Sequence, residues 1–215
     1  MISLPFLSSF TLWAPRIGQA LFLALVIRLY LRREEMGVKY NRSLLSLGLS
    51  ALIFWVLYAI FLTIIQYWVW IRDPIGSILL EMPLQNAGDF WFFEGRLNYF
   101  LFYFLERNWL NLFESVFLGV LFFFFLRFLV RYRDRFFETG ETVLGGVLAF
   151  VIGWPANVIF VGLSFVVVVV LSIFRMVSKK QTLTTLGLPF LISAGIVIIL
   201  NQLILSFTGF AVLTL

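Results

Sequence analysis

Apolar stretches at 44–70, 110–130, 158–174 and 186–205 decide what this chain can fold into. A bilayer's hydrocarbon layer is about 30 Å thick, and about 20 apolar residues in a helix cross it. Backbone amides have no water to bond there, so a helix or a closed barrel is the only spanning structure available. Even the run of valines at 166–170, which in water would favour a strand, is therefore expected to be helical. Shorter apolar segments at 17–31 and 144–152 complete a set of six. We expect an all-α, polytopic integral membrane bundle. It forms a single transmembrane domain over 1–215 with about six segments, or seven or eight if part of 71–109 crosses.

Charge fits this reading. Only 13% of the residues are charged and 62% are hydrophobic, against about a quarter charged in soluble domains. The net charge of +5 is carried by arginines and lysines at 28–42, 127–135 and 175–180. Such loops belong on the cytoplasmic side of an inner membrane, which in a six-span chain places the N-terminus outside. No nucleic-acid partner is needed to explain the charge; the expected partner is the lipid bilayer. The first segment lacks a small-residue cleavage site, so it reads as an anchor and not a removable signal peptide. The chain contains no cysteine and no histidine. That excludes disulfides, thiol nucleophiles, Ser-His dyads and the usual zinc ligands. No cofactor or metal is expected, and any chemistry falls to Asp, Glu, Lys, Arg, Tyr or Ser.

Residues 71–109 are too polar for one simple span, with five acids and three basic residues. They follow the interfacial aromatic sequence QYWVW, and their later part, 90–105, is apolar enough to lie in the interface or cross thinly. Glu141 stands at the mouth of the segment at 144–152, which closes at Gly153-Trp154-Pro155, where proline favours a turn. Two roles are open to it. Near a helix N-terminus a carboxylate is favoured by the dipole; it could cap the amides of Thr142 and Val143 or pair with Arg133 or Arg135. Alternatively, an ionisable group at a membrane boundary is kept for function.

The pattern around Glu141 resembles the second half of type IV prepilin peptidases, prokaryotic inner-membrane aspartic proteases that cut the leader peptides of type IV pilins. Gly140-Glu141, Leu144 and the close at Gly153-Trp154 match that family's second catalytic motif and the short helix after it. The resemblance continues through 158–174, the basic Arg175, Lys179 and Lys180, and LGLPFLISAGIVI at 186–198. It covers the chain from Leu126 to the end of the last segment. Glu138, Glu141 and Val143 stand where the family has glycine, aspartate and lysine. A glutamate's extra methylene displaces its oxygens, and a misplacement of roughly 1 Å can cost about 100-fold in rate.

The resemblance implies a hydrolase in which two carboxylates share a proton and activate a water, acting on a membrane-inserted leader peptide. It assigns the second carboxylate to Glu141. Asp89, at the head of DFWFFEGRLNYFLFYF, best matches the position of the first, with two thin crossings, 90–105 and 110–130, between the pair. Asp73 is the fallback; in Arg-Asp-Pro it also reads as a helix stop. The charge pattern places 71–109 outside, opposite Glu141. The first half is similar to prolipoprotein diacylglyceryl transferase, on Asp73-Pro74, NLFESVF at 111–117 and Ile152-Gly153-Trp154 with Asn157. That family's histidine and key arginines have no counterpart here. A non-enzymatic structural or assembly subunit is the remaining alternative.

Overall fold

A computed structural model describes residues 4–81, 99–132, 137–138, 140–179 and 185–208. Among these, all regular structure is helical. In chain order the helices are α1 (Leu4–Leu31), a short α2 (Arg33–Met36), α3 (Lys39–Arg72), α4 (Pro74–Glu81), α5 (Tyr99–Phe104), α6 (Leu110–Tyr132), α7 (Glu141–Ile152), α8 (Ala156–Lys179) and α9 (Gly187–Thr208). Four stretches are long and apolar enough to cross a membrane: Trp13–Leu31, Lys39–Arg72, Tyr99–Tyr132 and Ala156–Val177. Glu141–Ile152 and Gly187–Leu200 are shorter apolar helices. The six apolar segments read from the sequence are thus all helical, and this is an all-α chain with the makings of a multi-pass membrane protein.

One expectation is corrected. A single turn of π-helix, Leu105–Trp109, joins α5 to α6, so Tyr99–Tyr132 runs on as one stretch. The described part of 90–105 is therefore not a separate crossing from 110–130. The physical reason is local. Glu106, Arg107 and Asn108 lower the hydropathy, but neither glycine nor proline stands between Tyr99 and Leu110 to end the helix, and a π-turn absorbs the irregularity.

The described residues fall into two compact units, one built from the chain up to Leu52 and from Glu114 onwards, the other from Ile53–Phe113. In the first unit α7 is the centre. Every residue from Leu144 to Ile152 is buried, as expected of a helix apolar on all sides. It packs against α1, α8 and α9, and against α6 through Gly119 and Gly146. At 1.5 Å per residue it is only about 18 Å long, too short to cross the hydrocarbon layer alone. Beside it, the ring of Phe122 lies 6.0 Å from that of Phe160 and 5.8 Å from that of Phe190. Helix α8 turns Asn157, Phe160 and Ser164 inwards and leaves Val166, Val169, Val170, Ile173 and Phe174 exposed. Polar residues inside and aliphatic ones outside is the pattern of a helix against lipid. In the second unit Trp70 packs within 5.3 Å of the Phe100 ring and 5.4 Å of the Tyr103 ring, and Arg107 donates to the Tyr103 hydroxyl at 2.6 Å. Tryptophan and tyrosine in such a cluster suit a membrane interface.

Candidate functional site

The chain enters α7 through Gly140, whose φ of 89° is left-handed. A side chain there would be strained, and its Cβ would also meet Asn41 Oδ1 and the Tyr40 ring at 2.5–2.7 Å. Glycine at 140 therefore lets the start of α7 lie against the start of α3. Glu141 follows at once and is 2% exposed. Its Oε2 accepts the backbone N–H of Glu138 at 2.9 Å and of Leu186 at 3.2 Å. Its Oε1 accepts the N–H of Gly187 at 2.5 Å. Leu186 and Gly187 open α9, so this carboxylate sits in the first turn of one helix and caps the N-terminus of another. Both helix dipoles present their positive ends to it.

The partners differ from those the sequence suggested. The described bonds of Glu141 go to Glu138, Leu186 and Gly187 rather than to the amides of Thr142 and Val143. Arg133 and Arg135 lie outside the described residues. A basic group belongs to the same cluster: Arg33 pairs with the Glu138 carboxylate at 2.8 Å and stacks 4.3 Å from the Tyr30 ring centroid. Burial pulls the Arg33 pKa down, but the Tyr30 hydroxyl and the carboxylates of Glu138 and Glu141 outweigh it and hold the guanidinium above its ordinary value. The Tyr30 hydroxyl in turn lies against Gly187. Three buried polar atoms around this cluster have no hydrogen-bond partner among the described residues: Arg33 Nη1, the Tyr40 hydroxyl and Asn41 Oδ1. Residues 28–42 read as a basic loop; the signal that could have marked them was a tyrosine at each end of a tight, charged turn.

Asp73 has a settled local role. Its Oδ2 accepts the Gly76 N–H at 2.9 Å and Pro74 is the first residue of α4, an N-cap followed by proline at N1. Asp73→Ala is expected to cost about 1 kcal/mol, and Asp73→Asn only a few tenths. Thermal unfolding of both variants in detergent checks this, and an equal effect of the two would refute the cap. Asp89 lies outside the described residues, as do 82–98 as a whole. Glu114 is half-buried on α6. Of the three acids the resemblance nominated, the geometry describes Glu141, which holds three backbone amides, and Asp73, which holds one. Among the described residues, the carboxylate beside Glu141 is that of Glu138, and it is paired with Arg33.

The far end of α7 is also closed by side chains. Gly153, at φ 79°, ends the helix. Gln19 Nε2 donates to the Ile152 carbonyl at 2.7 Å, and the Trp154 N–H donates to Ser115 Oγ at 2.7 Å. Asn157 follows, fully buried, with neither amide atom partnered among the described residues.

A scan of protein-family models, a search of curated proteins and a search of solved structures each found no match for this chain. The class the fold defines is therefore the broad one, a helical chain with four candidate membrane spans.

Proposed function

We propose that this chain is a multi-pass inner-membrane protein with a prepilin-peptidase-like core that serves as a non-enzymatic helical subunit. In this reading the basic loops at 28–42, 127–135 and 175–180 face the cytoplasm and six segments make up the membrane part. The observation that carries it is the state of Glu141. A water-activating carboxylate needs a free lone pair aimed at water and a second acid to share its proton. Glu141 instead accepts three backbone N–H groups from two helix starts, the work of a structural clamp. The valine at 143, in place of the family's lysine, points the same way.

A second reading keeps the protease, with Asp89 and Glu141 as the pair and a membrane-inserted leader helix as substrate. In its favour is the polar capacity left beside Glu141 by Arg33 Nη1, the Tyr40 hydroxyl and Asn41 Oδ1, more than a purely structural clamp requires. The test is a cleavage assay in proteoliposomes with a leader-bearing pilin precursor. No product above that of empty vesicles is expected. Cleavage by the wild-type chain that disappears in both Asp89→Asn and Glu141→Gln would overturn the subunit reading and establish the protease.

A further inference from the structure

A second polar feature lies apart from Glu141, between the end of α1 and the start of α3. It is a cleft of about 660 Å³ whose lining includes Arg28, Arg32, Arg42, Ser43, Ser46 and Ser50. Its lining also has an apolar part, with Leu25, Leu29 and Leu47. We propose that this cleft binds the headgroup and glycerol region of an anionic glycerophospholipid.

The arrangement follows from helical spacing. Arg28 and Arg32 are four residues apart, so they stack on one face, directly beyond Leu25 and Leu29, which share the same spacing. On α3, Ser43, Ser46, Leu47 and Ser50 fall at i, i+3, i+4 and i+7 and form a single stripe. From Arg32 back to Leu25 the lining runs about 10 Å along the helix axis, going from charged to apolar. That is the gradient a phospholipid presents, from phosphate to acyl carbon.

Charge gives the sign of the ligand. The lining holds three arginines and no carboxylate. Glu34 and Glu35 are nearby on the exposed α2 but do not line the cleft. Of the described acidic groups elsewhere in this unit, Glu138 is held by Arg33 and Glu141 by backbone amides, and Glu114 on α6 does not line the cleft. None of the three cleft arginines has an ion-pair partner among the described residues. Guanidinium forks bind phosphate bidentately, and Ser43 and Ser46 add hydroxyl donors. The Ser50 hydroxyl is turned to the Leu47 carbonyl at 2.7 Å, marking where the phosphate-binding part ends. Basic pockets between helices at the cytoplasmic boundary are where anionic headgroups bind.

The experiment uses the full chain purified in detergent, with native mass spectrometry to count retained lipids. The probes are phosphatidylglycerol, phosphatidylcholine and inorganic phosphate. Each arginine is expected to contribute about fivefold in affinity for an anionic lipid. Arg28→Gln/Arg32→Gln/Arg42→Gln should therefore lose phosphatidylglycerol by on the order of a hundredfold, with little change for phosphatidylcholine. Arg127→Gln/Arg131→Gln/Arg175→Gln removes the same charge elsewhere and should leave retention intact. Arg28→Lys/Arg32→Lys/Arg42→Lys keeps the charge and guards against a glutamine variant that fails to fold. It should retain phosphatidylglycerol better than the glutamine triple at the same positions, and a loss as large as that triple's in a folded protein would overturn the charge argument. Equal loss in the two glutamine triples would reduce the effect to net charge and overturn the site. Full competition by inorganic phosphate at the lipid's own concentration would assign the cleft to free phosphate and overturn the lipid.

Discussion

Glu141→Ala is expected to be among the most destabilising single substitutions in the chain, costing about 3–5 kcal/mol. The magnitude follows from what is left behind. Three backbone N–H groups, of Glu138, Leu186 and Gly187, lose their acceptor, and each buried donor left unmade costs about 1–3 kcal/mol before relaxation. Glu141→Gln keeps the shape but replaces one acceptor oxygen with an NH₂ group. Either orientation sets donors against donors, because both oxygens already accept, so a cost of about 2–3 kcal/mol is expected. Glu141→Asp keeps the charge but withdraws it by one methylene from the start of α9, and should fall between Gln and wild type. The readout is thermal unfolding in a fixed detergent. Because the clamp joins α7 to α9, hydrogen exchange at the first turn of α9 should rise with the same ranking. An unchanged melting temperature for Glu141→Gln would show that the carboxylate is not structural, and would return it to the catalytic reading.

How legible was this from the sequence? The end of α7 was, because Gly153-Trp154-Pro155 is a backbone signal that acts locally, whereas its start at Glu141 precedes the apolar stretch at 144–152 by three residues. So was the helix-stop character of Asp73, since aspartate before proline is an N-cap signature on its own. The join of α5 to α6 was not. Hydropathy averages over side chains and dips at Glu106-Arg107-Asn108, whereas helix continuity depends on backbone hydrogen bonds that those side chains do not break. The partners of Glu141 were hidden for a different reason. Capping rules look at neighbours within one turn, while its acceptor capacity is used by Leu186 and Gly187, 45 and 46 positions away. No local pattern encodes that pairing, although the glycine at 187 is its trace: the Cβ of any other residue would collide with the Tyr30 ring and come within 2.9 Å of Glu141 Oε1. Asp89, the other half of the expected pair, lies outside the described residues.

The second large effect is expected where α6 crosses α7. A Cβ on Gly119 would lie 2.9 Å from Phe150 Cβ and 3.1 Å from the Gly146 carbonyl. One on Gly146 would lie 2.9 Å from Phe123 Cβ and 3.2 Å from the Gly119 carbonyl. Each glycine thus faces the other's backbone, and the atoms that would have to yield are Cβ and carbonyl atoms tied to the helices themselves. In lipid no hydrophobic force drives helices together, so the contact depends on close approach between small residues. Alanine at either site gains up to about 1 kcal/mol of helix propensity, but overpacking costs about 1–3 kcal/mol, so a net loss of about 1–2 kcal/mol is expected. Leucine cannot be fitted without moving α6 away from the buried α7, and should cost about 3 kcal/mol or more. The double alanine variant should cost less than the sum of the singles, because once the helices have parted the second methyl meets open space. Gly162 and Gly195 are the controls: a Cβ at either meets nothing within 4 Å, so alanine there should be neutral or stabilising. If all four alanine variants melt together, the crossing is not what holds α6 to the core, and the buried aromatic rings of Phe122, Phe160 and Phe190 must do so alone.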